Sequence, residues 1–257
     1  MKKKRKDNQN ILLTCANRKV HILNLLTKTF PQKKIYISDQ RKEIVSKYFS
    51  KYFWHSPKFV DKNFTKILNY LKKKKITFIF PTSDSELKFW SKYRLKLKKN
   101  NIFVMVSDLE TIEICLDKLK FFKLLEKNSI PAIKTSTNIN SINAKRFVVK
   151  NRFGSGNKNC FLNLSKNRSI KYSKNIAKPI FQKFINGKEV SIDCYIGKKN
   201  KIILRFRDLI NNGESEKTTI FKNKKISIII NNIIQLLNFK GHIMFQGFIK
   251  SQKIFYK

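Results

Sequence analysis

Seven glycines, five prolines, four alanines and four cysteines are all that this 257-residue sequence holds of each, and acidic side chains number only 16. Each scarcity excludes something. The cysteines (Cys15, Cys115, Cys160 and Cys194) lie far apart, with no Cys-x-x-Cys pair and no histidine cluster nearby. That excludes the spacings of zinc, iron–sulfur and disulfide frameworks, and the four read as lone buried small hydrophobes. No apolar run approaches the roughly 20 residues of a membrane span. The opening MKKKRKDNQNILLTCA imitates a lipoprotein signal, but only about six apolar residues precede Asn17 and Arg18, short of the roughly 7 to 15 of a signal core. The reading is a soluble, cytoplasmic protein. Scarce glycine also carries a positive message, because a glycine kept against such a bias sits where only glycine fits. Gly154, Gly156, Gly187 and Gly241 all fall inside candidate motifs.

Basic residues are anything but scarce. Lys and Arg total 57, giving a net charge of +41, which by itself points to nucleic acid or an anionic membrane. Two observations turn the reading away from that. Of the 57, 48 are lysine and nine arginine, while Asn (26) and Phe (22) are inflated in parallel, the mark of an AT-rich codon bias. The basic residues are scattered through every segment, and arginine, whose planar fork suits bidentate phosphate contacts, is the one in short supply. Nucleic acid is therefore not the expected partner. A non-enzymatic nucleic-acid or polyanion binder stays as the alternative function, and it predicts tight polyanion binding with a steep salt slope.

The first hundred residues alternate short apolar runs with amphipathic segments, as in a parallel sheet with crossover helices. Candidate strands are 11–16, 34–38, 76–81 and 102–106; VHILNLLTKTF, FTKILNYLKKKK and ELKFWSKYRLKLKK carry helical spacing. Ser83 with Glu86, and Ser107 with Glu110, form Ser-x-x-Glu capping boxes, a structural role for Glu86 and for neighbouring Asp84. Beyond Ser107 the pattern changes. SDLETIEICLDKLKFFKLLEKNSIP reads as two helical stretches, the second ending near Asn128 or Ser129 ahead of Pro131. From Arg146 onward RFVVK, CFLNL, IFQKFI, EVSIDCYI, KIILRFRDLI and TTIF read as strands, followed by the helix ISIIINNIIQLLN and the strands GHIMFQGFIK and KIFYK. Two modest domains fit this length.

The chemistry concentrates in FVVKNRFGSGNKNCF. Lys150 closes an apolar strand, and the turn from Asn151 to Lys158 has two glycines that let backbone amides approach phosphate oxygens. Taken alone, a Gly-x-Gly hairpin is more often an ordinary turn. The order of segments along the chain is more specific: LLTCANRKV, FPTSDSELKFW, ICLDKLKFFKLLEKNSIPAIKT, VVKNRFGSGNKNCF, FQKFINGKEVSID and GHIMFQGFIK. As an ordered set, from about Ile11 to the last residue, they resemble an ATP-grasp protein of the carbamoyl-phosphate-synthase-like, carboxylate–amine ligase type.

The resemblance implies an α/β fold, with a Rossmann-like domain over about 10–107 and an incomplete α+β ATP-grasp domain over 108–257. The latter splits into a small lobe at about 118–180 and a larger lobe at about 181–257. It implies that Lys118 and Lys150 contact nucleotide phosphates and that Gly154, Ser155, Gly156, Asn157 and Lys158 cover the β and γ phosphates. Backbone groups of Phe184 and Ile185 meet the adenine edge, flanked by Gln182 and Lys183, and Glu189 accepts from the ribose hydroxyls. Outside the resemblance, Glu189 reads equally as an exposed strand carboxylate, and Lys118 reads as the solvated helix lysine it would be in most chains. Catalytic residues stay unassigned. In such enzymes ATP phosphorylates a substrate carboxylate and a nucleophile attacks the acylphosphate; the substrate is not readable here.

Three departures from the family pattern stand out. CANRK replaces a glycine-rich first turn, and Lys183 stands where an acidic residue is common. Gln246 matches a metal-side glutamine, but the Glu-x-Asn expected a little over a dozen residues later is not in the sequence, whose last residue is Lys257. The expectation is a Mg2+ (or Mn2+) site that is incomplete here, in a truncated chain or one completed by a second chain. Asp193, Asp208, Glu214 and Glu216 are the only substitute acids, none at a matching position.

Overall fold

The computed structural model describes residues 9–154, 159–211, 213–250 and 253–256. The chain divides into two compact units, Met1–Leu109 and Glu110–Lys257.

The first unit is a five-stranded parallel sheet in the order β3-β2-β1-β4-β5. Its strands are β1 (Asn10–Leu13), β2 (Ile35–Asp39), β3 (Phe53–His55), β4 (Ile76–Phe80) and β5 (Phe103–Val104), with helices α1 (Val20–Thr29), α2 (Phe64–Lys73) and α3 (Asp84–Lys98). Ile11, Leu12 and Leu13 are all buried in succession, as befits a central parallel strand covered on both faces. The helices show stripes: Leu23 and Leu26 in α1, and Phe64, Ile67 and Leu71 in α2, point inward. The expected capping box at Ser83 forms. Glu86 accepts from the amides of Thr82 (3.0 Å) and Ser83 (3.1 Å) and from Trp90 Nε1 (2.8 Å). Burial pushes its carboxyl above the ordinary range despite those bonds, a structural carboxylate at a helix start. β3 was not legible in the sequence.

The second unit opens with α4 (Leu109–Leu116) and α5 (Lys118–Lys127). A four-stranded sheet follows in the order β6-β9-β7-β8, from β6 (Thr135–Ser136), β7 (Phe147–Asn151), β8 (Cys160–Leu164) and β9 (Pro179–Lys183), with α6 (Lys166–Ser173) packed on it. Phe147, Val149, Phe181, Ile139, Ile142 and Ile176 form its core. The larger, antiparallel sheet runs β12-β11-β10-β13-β14. It comprises β10 (Lys188–Ile196), β11 (Lys201–Asn211), β12 (Glu214–Phe221), β13 (Gly241–Lys250) and β14 (Lys253–Tyr256), with α7 (Lys224–Leu236) before β13. Val190, Ile192 and Cys194 alternate inward along β10 against α7 and α5. Successive strand residues point to opposite faces, so Glu189, Ser191 and Asp193 lie on the open face.

Two expectations change. Of the four cysteines only Cys194 is buried; Cys115 on α4 is exposed, and Cys160 on β8 and Cys15 in the turn after β1 are partly covered. And α6 forms between β8 and β9, where the sequence showed no apolar stripe; Ser169 is its one buried residue.

Candidate functional site

The nucleotide-side residues assemble around the start of α5 and the β7–β8 hairpin. Asp117 caps α5, its carboxylate accepting from the amides of Leu119 and Lys120, both at 3.1 Å. The same carboxylate takes a two-pronged bond from Arg152, Nε at 2.6 Å and Nη2 at 2.5 Å. Burial alone would raise the Asp117 carboxyl, but the Arg152 guanidinium and the helix amides hold it below the usual carboxylate range. This pair joins the helix start to the end of β7. In consequence Lys118, the next residue, donates through Nζ to the carbonyls of Gly154 (2.6 Å) and Arg152 (3.4 Å).

Lys150 sits on β7, paired with Ile180 of β9 and Cys160 of β8. Alternation puts it with Val148 and Gln182 on the face opposite the Phe147, Val149 and Phe181 core. Gly154 has φ +93°, a conformation that side chains other than glycine rarely adopt. Ser155, Gly156, Asn157 and Lys158 lie outside the described residues. The structure thus brings Lys118, Lys150 and Gly154 to one hairpin.

The hinge segment is more restrictive than the sequence suggested. Gln182 is buried and donates to Thr135 Oγ1 (2.7 Å) across the β6–β9 pair, while Lys183 is exposed on the other face. The Phe184 amide is bonded to the Arg146 carbonyl (2.9 Å), so it is already taken and cannot also donate to an adenine edge. At Gly187 a Cβ would meet the Ile249 carbonyl oxygen at 2.6 Å, so this glycine permits the close approach of hinge and β13. A cavity of about 470 Å³ is lined by Lys183, Phe184, Ile185, Ile133, Ile142 and Phe255 among others. Lys118, Lys150 and Glu189 do not line it.

On the large sheet, Glu189 accepts from Arg207 Nη1 at 2.6 Å. Gln246 is the register partner of Ser191 on β13, on the same open face. Ser191 Oγ is buried without a hydrogen-bond partner. Asp193 binds Arg205 Nε at 2.5 Å and faces His242 Nε2 at 3.6 Å. Asp208 accepts from Thr219 and Glu216 from Asn211, and the Glu214 side chain lies outside the described residues. No group of three or more His, Cys, Asp or Glu placed to hold a metal occurs among the described residues. The donor set fits a nucleotide: ammoniums at a glycine hairpin for phosphates, hinge backbone groups for a base edge and a carboxylate for hydroxyls. It does not by itself fit a divalent cation, which needs several oxygen ligands.

Among known families, residues 11–105 match the PylC-like, N-terminal domain and residues 115–248 match the ATP-grasp domain. The second match covers more than half of the chain. This chain belongs to the ATP-grasp family. No curated protein matches it. Solved ATP-grasp relatives share the fold at low identity. N5-carboxyaminoimidazole synthetase from Staphylococcus aureus, complexed with ADP, has a TM-score of 0.75 at 20% identity, covering 97% of this chain and 69% of that one. The biotin carboxylase domain of the Hydrogenobacter thermophilus 2-oxoglutarate carboxylase, in complex with MgADP, ADP and bicarbonate, has a TM-score of 0.75 at 10% identity over 96% of this chain and 62% of that one. Biotin carboxylase from Campylobacter jejuni, in a β,γ-ATP complex, gives 0.74 at 13% identity over 96% and 64%. These likenesses show the fold, and among the described residues no helix is long and apolar enough to cross a membrane.

Arg207 and the Asp117–Arg152 pair were not picked out from the sequence. One signal existed: with nine arginines against 48 lysines, a retained arginine marks a place where a fork is needed.

Proposed function

We propose that this chain binds ATP between its two antiparallel sheets and serves ATP-dependent activation of a carboxylate. Lys118 and Lys150 neutralise the phosphates, residues 154–158 cover them, Ile185 and the hinge carbonyls meet the adenine between Gln182 and Lys183, and Glu189 accepts from the ribose hydroxyls. Small and larger lobes at about 118–180 and 181–257 form the two walls. The observation that carries this reading is the convergence of the Lys118 ammonium on the Arg152 and Gly154 carbonyls, at the hairpin that follows Lys150. Bound ATP would supply the phosphoryl group for a substrate carboxylate, and the protein's own work is positioning and charge neutralisation. Gln246 would offer one oxygen ligand to a Mg2+ or Mn2+ ion. Four free thiols suit the reducing cytoplasm.

The test is thermal unfolding with and without ATP. At about 100 times the dissociation constant, ligand binding adds about 2.7 kcal/mol, which raises the midpoint by about 5 °C for a chain of this size. Lys150→Ala and Lys118→Ala should abolish most of that rise. An ATP shift that persists undiminished in both variants, or no shift in the native chain, refutes the reading.

A further inference from the structure

Arg207 has its guanidinium engaged on three sides with almost no exposure. Its side chain is 4% exposed, and it donates through Nη1 to Glu189 Oε1 (2.6 Å), through Nε to Ser215 Oγ (2.7 Å) and through Nη2 to the Gly213 carbonyl (2.5 Å). Its partners lie on three pieces of chain: β10, β12 and the turn between β11 and β12. The register explains the meeting. Val190 faces Phe206 across β10–β11, and Arg207 faces Thr218 across β11–β12, so the residues next to Val190 and Phe206 share the open face. A guanidinium this buried is tolerated when its charge is balanced and its donors are taken, and Glu189 supplies the balancing charge.

We infer that Arg207 is a positioning residue for nucleotide recognition, fixing Glu189 so that the site distinguishes ribose from its deoxygenated analogues. The inference rests on the ribose role proposed for Glu189. A glutamate side chain on a strand has several torsions to order, and a hydrogen bond made before the nucleotide arrives removes that cost from binding. A carboxylate can accept about four hydrogen bonds, so the bond from arginine does not by itself exclude a vicinal diol. Lysine could neutralise Glu189 but could not hold the hairpin carbonyl, the serine and the carboxylate in one plane.

The experiment compares the affinities of ATP and 2′,3′-dideoxy-ATP by calorimetry in the native chain and in Glu189→Gln, Arg207→Ala, Arg207→Lys and Lys150→Ala. Hydrogen bonds to a charged group give a native preference for ATP of about 10- to 100-fold. Arg207→Ala should reduce the ratio to within about threefold of unity, with dideoxy-ATP affinity nearly unchanged, and Arg207→Lys should fall between. If Arg207 only staples the β11–β12 hairpin, its removal weakens both nucleotides equally and leaves the ratio intact, which overturns the inference. A ratio lost in Glu189→Gln but kept in Arg207→Ala overturns the role of Arg207 alone. The absence of any ratio in the native chain overturns the ribose role of Glu189 and the inference with it, while Lys150→Ala tests the phosphate side separately. Should Arg207→Ala fail to fold, Arg207→Lys decides on the same criterion: a reduced ratio supports, an unchanged ratio overturns.

Discussion

Asp193 stands between Arg205 and His242 on the open face of the large sheet. Burial would raise its carboxyl, but the nearby His242 ring and the hydrogen-bonded Arg205 guanidinium bring it down to about 2. A carboxyl whose folded value lies below its unfolded value near 3.8 stabilises the fold above about pH 4. That contribution disappears as the pH falls toward 2. Asp193→Asn should therefore lose about 2 kcal/mol at neutral pH, with its stability converging on that of the native chain near pH 2. Urea titrations at several pH values check this; a deficit that stays constant with pH counts against it. At this scale the sequence was partly legible. Lys118, Lys150 and Gly154 stood out because lysine at a strand end and glycine in a turn have few other reasons to occur together. Arg207 did not, because an arginine alternating with apolar residues on a strand looks solvated. Its burial follows from the register of three strands, which no local pattern encodes.

The junction of α5 with β7 depends on one carboxylate with two duties, the helix cap and the bond to Arg152. Asp117→Asn keeps a capping oxygen but gives up the ion pair, and the Asp117 side chain is only 3% exposed. We expect a stability loss of about 1–3 kcal/mol and a weaker ATP shift, because Lys118 then loses its fixed approach to the hairpin. Asp117→Ala should be worse by about a further 1 kcal/mol, the usual worth of a cap. Chemical denaturation of the two variants separates these terms, and equal losses would contradict the double role. The elements visible from sequence are those with sustained periodicity, such as α2, α7 and β10. Those missed are short or carried by neighbours. β3 is three residues at a sheet edge, and α6 buries little but Ser169 and rests on the small sheet beside it. Local propensity is a weak prior where tertiary packing supplies the stability.

Across the whole chain the charge of +41 generates non-specific attraction for any polyanion, and that attraction is screened over a Debye length of about 10 Å at 0.1 M salt. Heparin or duplex DNA bound by scattered lysines should be lost steeply as salt rises. The ATP-dependent rise in unfolding temperature should survive at about 0.3 M salt in the presence of excess duplex DNA. Its disappearance there, with DNA still bound, would favour the polyanion-binding alternative. The fold class was legible at this scale because the order of elements, strands alternating with helices and then a run of antiparallel strands, is a property of the entire sequence. How its two sheets in the second unit are tied was not. They are linked by the segment after β9 and also by the stretch before β6, where Ile133 donates to the Tyr256 carbonyl at 2.9 Å and Ala132 bridges to Tyr256. Two ties of this kind concentrate any rearrangement of the small sheet against the large one at the few residues that join them.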